Sequence, residues 1–129
     1  MPQALTSGIV LQNETDGSKF LHIDVGNVGT LTRTLTVQVV NWGLPPFGAP
    51  AGPVGNFLAP TTNSYPPKTA RQFNVLVPFN THYEIRLISA DGEGVTTGTV
   101  IFSALTASAG GGWIEGYTQH INDYKIVTV

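Results

Sequence analysis

The sequence predicts an all-β protein: an antiparallel β-sandwich of about eight strands, arranged as a jelly roll or an Ig-like Greek key. Apolar and polar residues alternate with a period of two along most of the chain. Turn signals rich in Gly, Asp and Asn recur about every 8–12 residues outside one long central segment. No segment of useful length has a helical period.

The N-terminal half has three segments with strand character, which are Gly8–Asn13, Lys19–Val25 and Thr30–Trp42. Asp16-Gly17 predicts a hairpin turn between the first two. The third is the clearest, because threonines occupy one face and apolar residues the other. That apolar face contains Leu31, Leu35, Val37 and Val39.

The C-terminal half continues the pattern over Gln72–Val77, His82–Ser89, Val95–Thr106, Trp113–His120 and Ile121–Val129. In the second of these strands Tyr83, Ile85 and Leu87 point inward. Glu84 and Arg86 then share the outward face, where they are expected to form a solvated surface pair. Pro78 cannot donate to a ladder, so it ends a strand or lies at a sheet edge.

The segment Gly43–Thr69 interrupts this pattern. Its 27 residues contain seven of the nine prolines and four of the fifteen glycines. We predict a long irregular loop over 43–69, and such a segment inside a compact domain is usually functional, disordered or a linker. Its prolines make it unsuitable as a central strand, and its apolar residues indicate a stiff strap that packs on its own sandwich or on a neighbour.

Length and composition predict a single domain over 1–129, with an extended N-terminal arm over 1–8. Charged residues make up 11% of the chain, well below the usual figure of about 25%. Fewer surface charges oppose self-association, which suits a subunit of an assembly. The net charge of -2 and six scattered basic residues argue against a nucleic-acid partner. The chain has no stretch apolar enough to cross a membrane and no recognisable signal peptide.

Residues suited to catalysis or metal binding are few. The three histidines, His22, His82 and His120, lie far apart on different predicted strands. Glu115, in GGGWIEGY, is the carboxylate in the most cleft-like setting. Most of the other acids fall in or near predicted turns, where hairpin chemistry explains them as well as calcium does. We therefore predict no enzyme activity, catalytic residue, cofactor or metal site. The absence of cysteine excludes disulfides.

Exposed aromatic residues support one alternative, a carbohydrate- or surface-binding module, including one carried by a viral or phage particle. Sugar recognition needs an aromatic platform with amide or carboxylate partners nearby. Trp42 follows Asn41, and Tyr117 lies close to Gln119. The remaining candidates are Phe47, Phe57, Tyr65, Trp113 and Tyr124. The simpler interpretation places both tryptophans at the ends of the sandwich core.

In length, Thr- and Val-rich strands and low charge, the chain resembles the small jelly-roll subunits of bacterial spore appendages, the endospore pilins. Val37–Gly43 and Phe73–Leu87 look similar to strands of such proteins. The resemblance implies an extracellular location at a cell or spore surface and a homopolymer as the partner. Those pilins crosslink through N-terminal cysteines, which this chain lacks. Its contacts would therefore be non-covalent.

The leading hypothesis is a non-enzymatic structural subunit that self-assembles into a filament or surface layer by β-strand augmentation. Either terminal segment, Met1–Asn13 or Ile121–Val129, is suited to add a strand to a neighbour. The expected assembly interface takes apolar residues from both termini and from the central segment. These residues are Leu5, Ile9, Leu11, Phe47, Phe57, Leu58, Tyr65, Tyr124 and Ile126.

Overall fold

A computed structural model describes residues 3–12, 19–89, 99–107 and 124–128, the third range as backbone only. These residues form strands and connecting segments and contain no helix, so none that is long and apolar enough to span a membrane. The strands are β1 (Gln3–Thr6), β2 (Val10–Gln12), β3 (Lys19–Asn27), β4 (Arg33–Gly43), β5 (Gly55–Tyr65), β6 (Thr69–Val77), β7 (Thr81–Ser89), β8 (Thr99–Ala107) and β9 (Lys125–Thr128).

Two antiparallel sheets form the fold. The six-stranded sheet has the order β5-β4-β7-β1-β9, and β2 also pairs with β7. The three-stranded sheet has the order β6-β3-β8. Because β1 and β2 lie end to end along β7, the nine strands fill about eight positions. The predicted all-β antiparallel sandwich is confirmed.

The core lies between the two sheets and takes every second residue of their strands, as the period-two pattern predicts. Leu21, Ile23 and Val25 of β3 face residues of the six-stranded sheet. Ile85 and Leu87 of β7 are fully buried in the same cluster. Burying one such side chain stabilises a fold by about 1.5–3 kcal/mol, so this alternation accounts for the pairing of the sheets.

The prediction of an irregular loop over 43–69 is wrong for Gly55–Tyr65, which forms the eleven-residue strand β5. β5 pairs with β4 and lies at the edge of its sheet. Pro60 lies in a bulge between the Val37–Thr61 and Val39–Leu58 pairs, where two residues of β5 oppose one residue of β4. Proline is tolerated at such edge and bulge positions, where no ladder bond requires its missing N–H.

Strand boundaries also differ at other places. Leu31, expected on the apolar face of the third predicted strand, precedes β4 and is exposed. The predicted arm over 1–8 contains β1, which is part of the chain's own sheet. The predicted strand Trp113–His120 and the candidates Glu115 and His120 lie outside the described residues.

Candidate functional site

The N-terminal strand β1 occupies an interior position of the six-stranded sheet. It pairs with β7 on one side and β9 on the other, both in antiparallel register. Leu5 is 3% exposed and belongs to the core, and Ala4 is fully buried on the opposite face. We call the gap between β7 and β9 the β1 slot. Among the described strands, β9 pairs only with β1, so the slot and its outer wall depend on this four-residue segment.

The connection between β1 and β2 departs from a regular ladder. Ser7 N donates to Ile85 O at 3.0 Å, but Ile85 N donates to the Ser7 hydroxyl at 2.9 Å instead of to a backbone carbonyl. Gly8 follows with a φ of +72°, a left-handed conformation that favours glycine. Ile9 is then half exposed before β2 begins. Residues Ser7–Ile9 therefore form a break between β1 and β2, which both pair with β7.

A buried carboxylate links β1 to its neighbours on the face away from the core. Thr6 Oγ1 donates to Glu84 Oε2 across the β1–β7 boundary. Trp42 Nε1 and Arg86 Nη2 each donate to Glu84 Oε1 at 3.0 Å. We call these four residues the Glu84 network. It ties together β1, β4 and β7 with charge-assisted hydrogen bonds, which are stronger than neutral ones.

The Glu84 network favours an ionised carboxylate. Burial alone would raise the pKa of Glu84, but hydrogen bonds from Arg86, Thr6 and Trp42, with the Arg86 charge, lower the pKa below its ordinary value of 4.5. Both oxygens already accept hydrogen bonds. The group is therefore suited to hold strands together and unsuited to act as a general acid.

Glu84 and Arg86 form the expected ion pair, but Glu84 is buried and not solvated as expected. Their ion pair is 3.0 Å long, and the Glu84 side chain is 8% exposed. The alternation pattern placed Glu84 on the face away from the core correctly. It could not show that this part of the face is buried, because burial there depends on tertiary contacts.

The edge strand β5 is a second candidate contact surface. It has no charged residue, and no described strand pairs with its outer side. Its pairing with β4 shifts at two places, between the partners of Val37 and Val39 and between those of Val39 and Val40. In both shifts β5 carries the extra residue. Bulges and edge prolines such as Pro60 are devices that reduce edge-to-edge pairing.

The residues expected at an assembly interface are distributed between the core and the surface. Leu5, Tyr65 and Tyr124 are buried in the chain's own core, so in this conformation they cannot contact a neighbour. Phe57 and Leu58 are partly buried against that core. Leu11 is also partly buried. Only three are at least half exposed or nearly so, namely Ile9, Phe47 and Ile126.

Tyr65 is one of the largest fully buried side chains. Its hydroxyl has no hydrogen-bond partner within the described part of the chain. Burial raises the pKa of Tyr65, and the nearby Arg71 charge lowers it less. The Arg71 guanidinium lies 5.7 Å from the ring centroid, within range of a cation–π contact. This ring is therefore core, and it is not a sugar platform.

The other aromatic and histidine candidates are dispersed. Trp42 is partly exposed and its indole N–H is bound to Glu84. His22 lies on the three-stranded sheet, with Nε2 3.0 Å from Asp24 Oδ2 and Nδ1 2.8 Å from Asn74 Oδ1. His82 lies on β7 of the other sheet. Within the described ranges, no three His, Asp or Glu side chains come together as a metal site. Trp113 and Tyr117 lie outside those ranges.

Sequence reasoning missed the role of Thr6, Ser7 and Glu84, whose side chains form hydrogen bonds that join β1 and the residue after it to β7. A usable signal was present: Thr6-Ser7-Gly8 combines two hydroxyl side chains with a glycine, a combination typical of a local break. The position of Glu84 between core residues of β7 gave no sign of its partner Thr6, 78 residues away.

Comparison with known proteins adds no relative from which a function could be transferred. No protein-family model, curated protein or solved structure matches the chain.

Proposed function

We propose that this protein is a non-enzymatic structural subunit that assembles with copies of itself by exchanging β1. In the assembly, β1 of one copy fills the β1 slot of the next. The single observation that supports this is the position of β1: a terminal four-residue strand lies inside the sheet and is followed directly by the break at Ser7–Ile9.

Exchange of β1 preserves the contacts that β1 makes with β7, β9 and the core. Leu5 still enters a core, Thr6 still donates to a Glu84, and β7 and β9 still pair on both sides. The free-energy difference between monomer and polymer then depends mainly on the hinge and on concentration. Swapping an identical element is a low-cost route to assembly for this reason.

Exchange of a single terminal strand is a heterologous contact, in which one copy donates and the next accepts. Such contacts produce rings where the rotation closes and open filaments where it does not. A filament or surface layer at the outside of a cell or spore is the assembly we propose. The low charge of the chain, 11% charged residues, supports close packing of many copies.

A cross-strand disulfide tests this exchange, since the chain has no cysteine of its own. Ser7 N bonds to Ile85 O, so alternation makes Ala4–Ile88 a non-hydrogen-bonded pair. Such pairs have Cα atoms about 4.5 Å apart, which permits a disulfide. The variant Ala4→Cys with Ile88→Cys, oxidised as a dilute monomer, is expected to lose filament formation in negative-stain electron micrographs. Reduction is expected to restore it.

When the same variant is oxidised after assembly, the disulfide is expected to join neighbouring copies. A series of covalent oligomers on a non-reducing gel would then show the exchange directly. The control is Thr36→Cys with Thr62→Cys, which joins β4 to β5 and should give only monomers on the gel without blocking assembly. Filaments from the locked Ala4–Ile88 monomer would refute β1 exchange, and a wild-type protein that stays monomeric at high concentration would refute self-assembly.

Glycan binding is a second candidate, favoured by one observation. Gln38 Nε2 donates to Asn56 Oδ1 at 2.8 Å, and β4 carries both Gln38 and the partly exposed Trp42, so one strand presents an amide pair and an indole. A monomeric elution profile together with saturable binding on a glycan array would favour this candidate over the structural subunit.

A further inference from the structure

A cavity lies at the end of the six-stranded sheet where β4 ends and β7 begins. Its volume is about 680 Å³, within the range of about 300–1,000 Å³ typical of small-molecule sites. Most of its lining is apolar. We call it the proline pocket, and its walls include Leu11, Leu44, Pro45, Pro46, Phe47 and His82.

The pocket wall is held in place at both ends of the loop that follows β4. Gly43 N donates to Asn41 Oδ1 at 2.8 Å, and Val54 N donates to Asn41 O at 2.8 Å. Between these ties, Pro45 and Pro46 have a fixed φ. A loop restrained in this way loses little conformational entropy when a ligand binds, which favours affinity.

Two side chains of the pocket lining are polar, Asn80 and His82, and the second of them, His82, also contacts the loop. Its Nδ1 lies 2.9 Å from the Gly43 carbonyl oxygen. A carbonyl only accepts, so Nδ1 carries the proton, and in the neutral ring Nε2 is then an acceptor. Nε2 has no protein partner in the part of the chain that the structure describes. One ring nitrogen therefore anchors the loop and the other remains available to a ligand.

We propose that the proline pocket binds a small, mostly apolar molecule with a flat ring and one hydroxyl donor, and that His82 Nε2 accepts the hydrogen bond. The ring of the ligand would pack on the proline rings and on Phe47, which is fully exposed without such a partner. An apolar cavity with a few placed polar groups is the usual form of a small-molecule site. This site is independent of β1 exchange.

Two matched probes test the site, 4-methylphenol and 4-methylanisole, which differ in the hydroxyl donor. Each is titrated into the full chain, labelled with ¹⁵N at histidine, and followed by NMR. We expect saturable binding of 4-methylphenol with a shift of the His82 Nε2 resonance. The anisole should bind about two- to tenfold more weakly, since it lacks one hydrogen bond.

The variant His82→Asn separates the two roles of the ring. Its amide nitrogen can replace Nδ1 and keep the bond to Gly43, but nothing replaces Nε2. We expect His82→Asn to keep the thermal midpoint and to bind both probes with the same low affinity. His82→Gln, which offers an oxygen near the Nε2 position, should recover part of the preference for the phenol.

Either of two results would overturn the proposal. One is the absence of saturable 4-methylphenol binding to the wild-type chain. The other is an unchanged preference for the phenol in folded His82→Asn, which would place the hydroxyl elsewhere. If His82→Asn is unfolded, the wild-type shift at Nε2 decides alone: its presence supports the site and its absence refutes it.

Discussion

Two of the three segments that the sequence marks as contact segments, the N-terminal and the central one, occupy opposite positions in the same sheet. β1 is short, buried and interior, with a strand on each side. β5 is long, mostly exposed and at the edge, with one described neighbour. β1 can reach a neighbouring molecule only by leaving its slot, whereas β5 can accept a strand without moving.

This difference shows that exposure alone does not identify the better assembly element. The open edge of β5 is interrupted by Pro60 and by two register shifts, which limit the regular ladder it can offer. The buried β1 already has a complementary site, because each copy carries the same slot. Under the proposed exchange, the element that is hidden in the monomer would therefore have the better-defined contact.

The largest expected effect is on the core contact of β1. Leu5→Ala should lower the free energy of unfolding by about 2–5 kcal/mol, since it removes a buried side chain and leaves a cavity. Chemical denaturation measures this value. Ile9→Ala is the matched control in the same segment: it is half exposed and should change stability by less than about 0.5 kcal/mol. Equal effects of the two substitutions would show that β1 is not seated in the slot.

The Glu84 network is expected to give an intermediate effect. Glu84→Gln keeps the shape of the side chain but removes the negative charge that accepts hydrogen bonds from Thr6, Trp42 and Arg86. It should lower the free energy of unfolding by about 1–3 kcal/mol at pH 7. Asp24→Asn is the control, since Asp24 is paired with His22 but 37% exposed. It should cost less than about 1 kcal/mol.

The pH dependence of this loss has a definite sign. The pKa of Glu84 is lower in the folded chain than its ordinary value of 4.5. The unfolded chain therefore binds more protons as the pH falls below about 4.5. The contribution of Glu84 is fully present above that pH and disappears as the pH falls through the lowered folded value. The stability gap between wild type and Glu84→Gln should narrow on acidification, and a gap that stays constant from pH 7 to pH 3 would contradict this account.

The local sequence pattern was sufficient to predict the sandwich, but it did not predict strand β5 within the central segment. Period-two alternation identified the core faces of β3 and β7, because a strand with one buried face must alternate. It failed over Gly55–Tyr65, where edge exposure and two bulges remove the alternation. Proline was correctly taken to exclude a central strand, but an edge strand tolerates it.

The site was less predictable than the fold for a physical reason. Apolar content alone marked Leu5, Tyr65 and Tyr124 as surface contacts, although their burial follows from strand pairing across the whole chain. The Thr6–Glu84 bond joins residues 78 positions apart. The sequence alone does not reveal a contact between residues so far apart. The hydrogen bond that joins β1 to Glu84 was therefore found only in the structure.

The smallest effect on stability is expected for a substitution in β5. Its effect on filament formation decides whether β1 or β5 makes the contact between copies. Thr62→Lys places a charge in the middle of the exposed edge, where it should change the free energy of unfolding by less than about 0.5 kcal/mol. A lysine on an edge strand disfavours the approach of a second strand.

Thr62→Val is the control for Thr62→Lys, because it also removes the 2.7 Å bond to Thr36 without adding charge. If β1 exchange is the assembly contact, both variants should form filaments at the wild-type rate, measured by light scattering and electron microscopy. Loss of filaments in Thr62→Lys alone would assign the contact to β5. The slot would then hold β1 only within its own chain, and the Ala4–Ile88 disulfide would leave assembly unchanged.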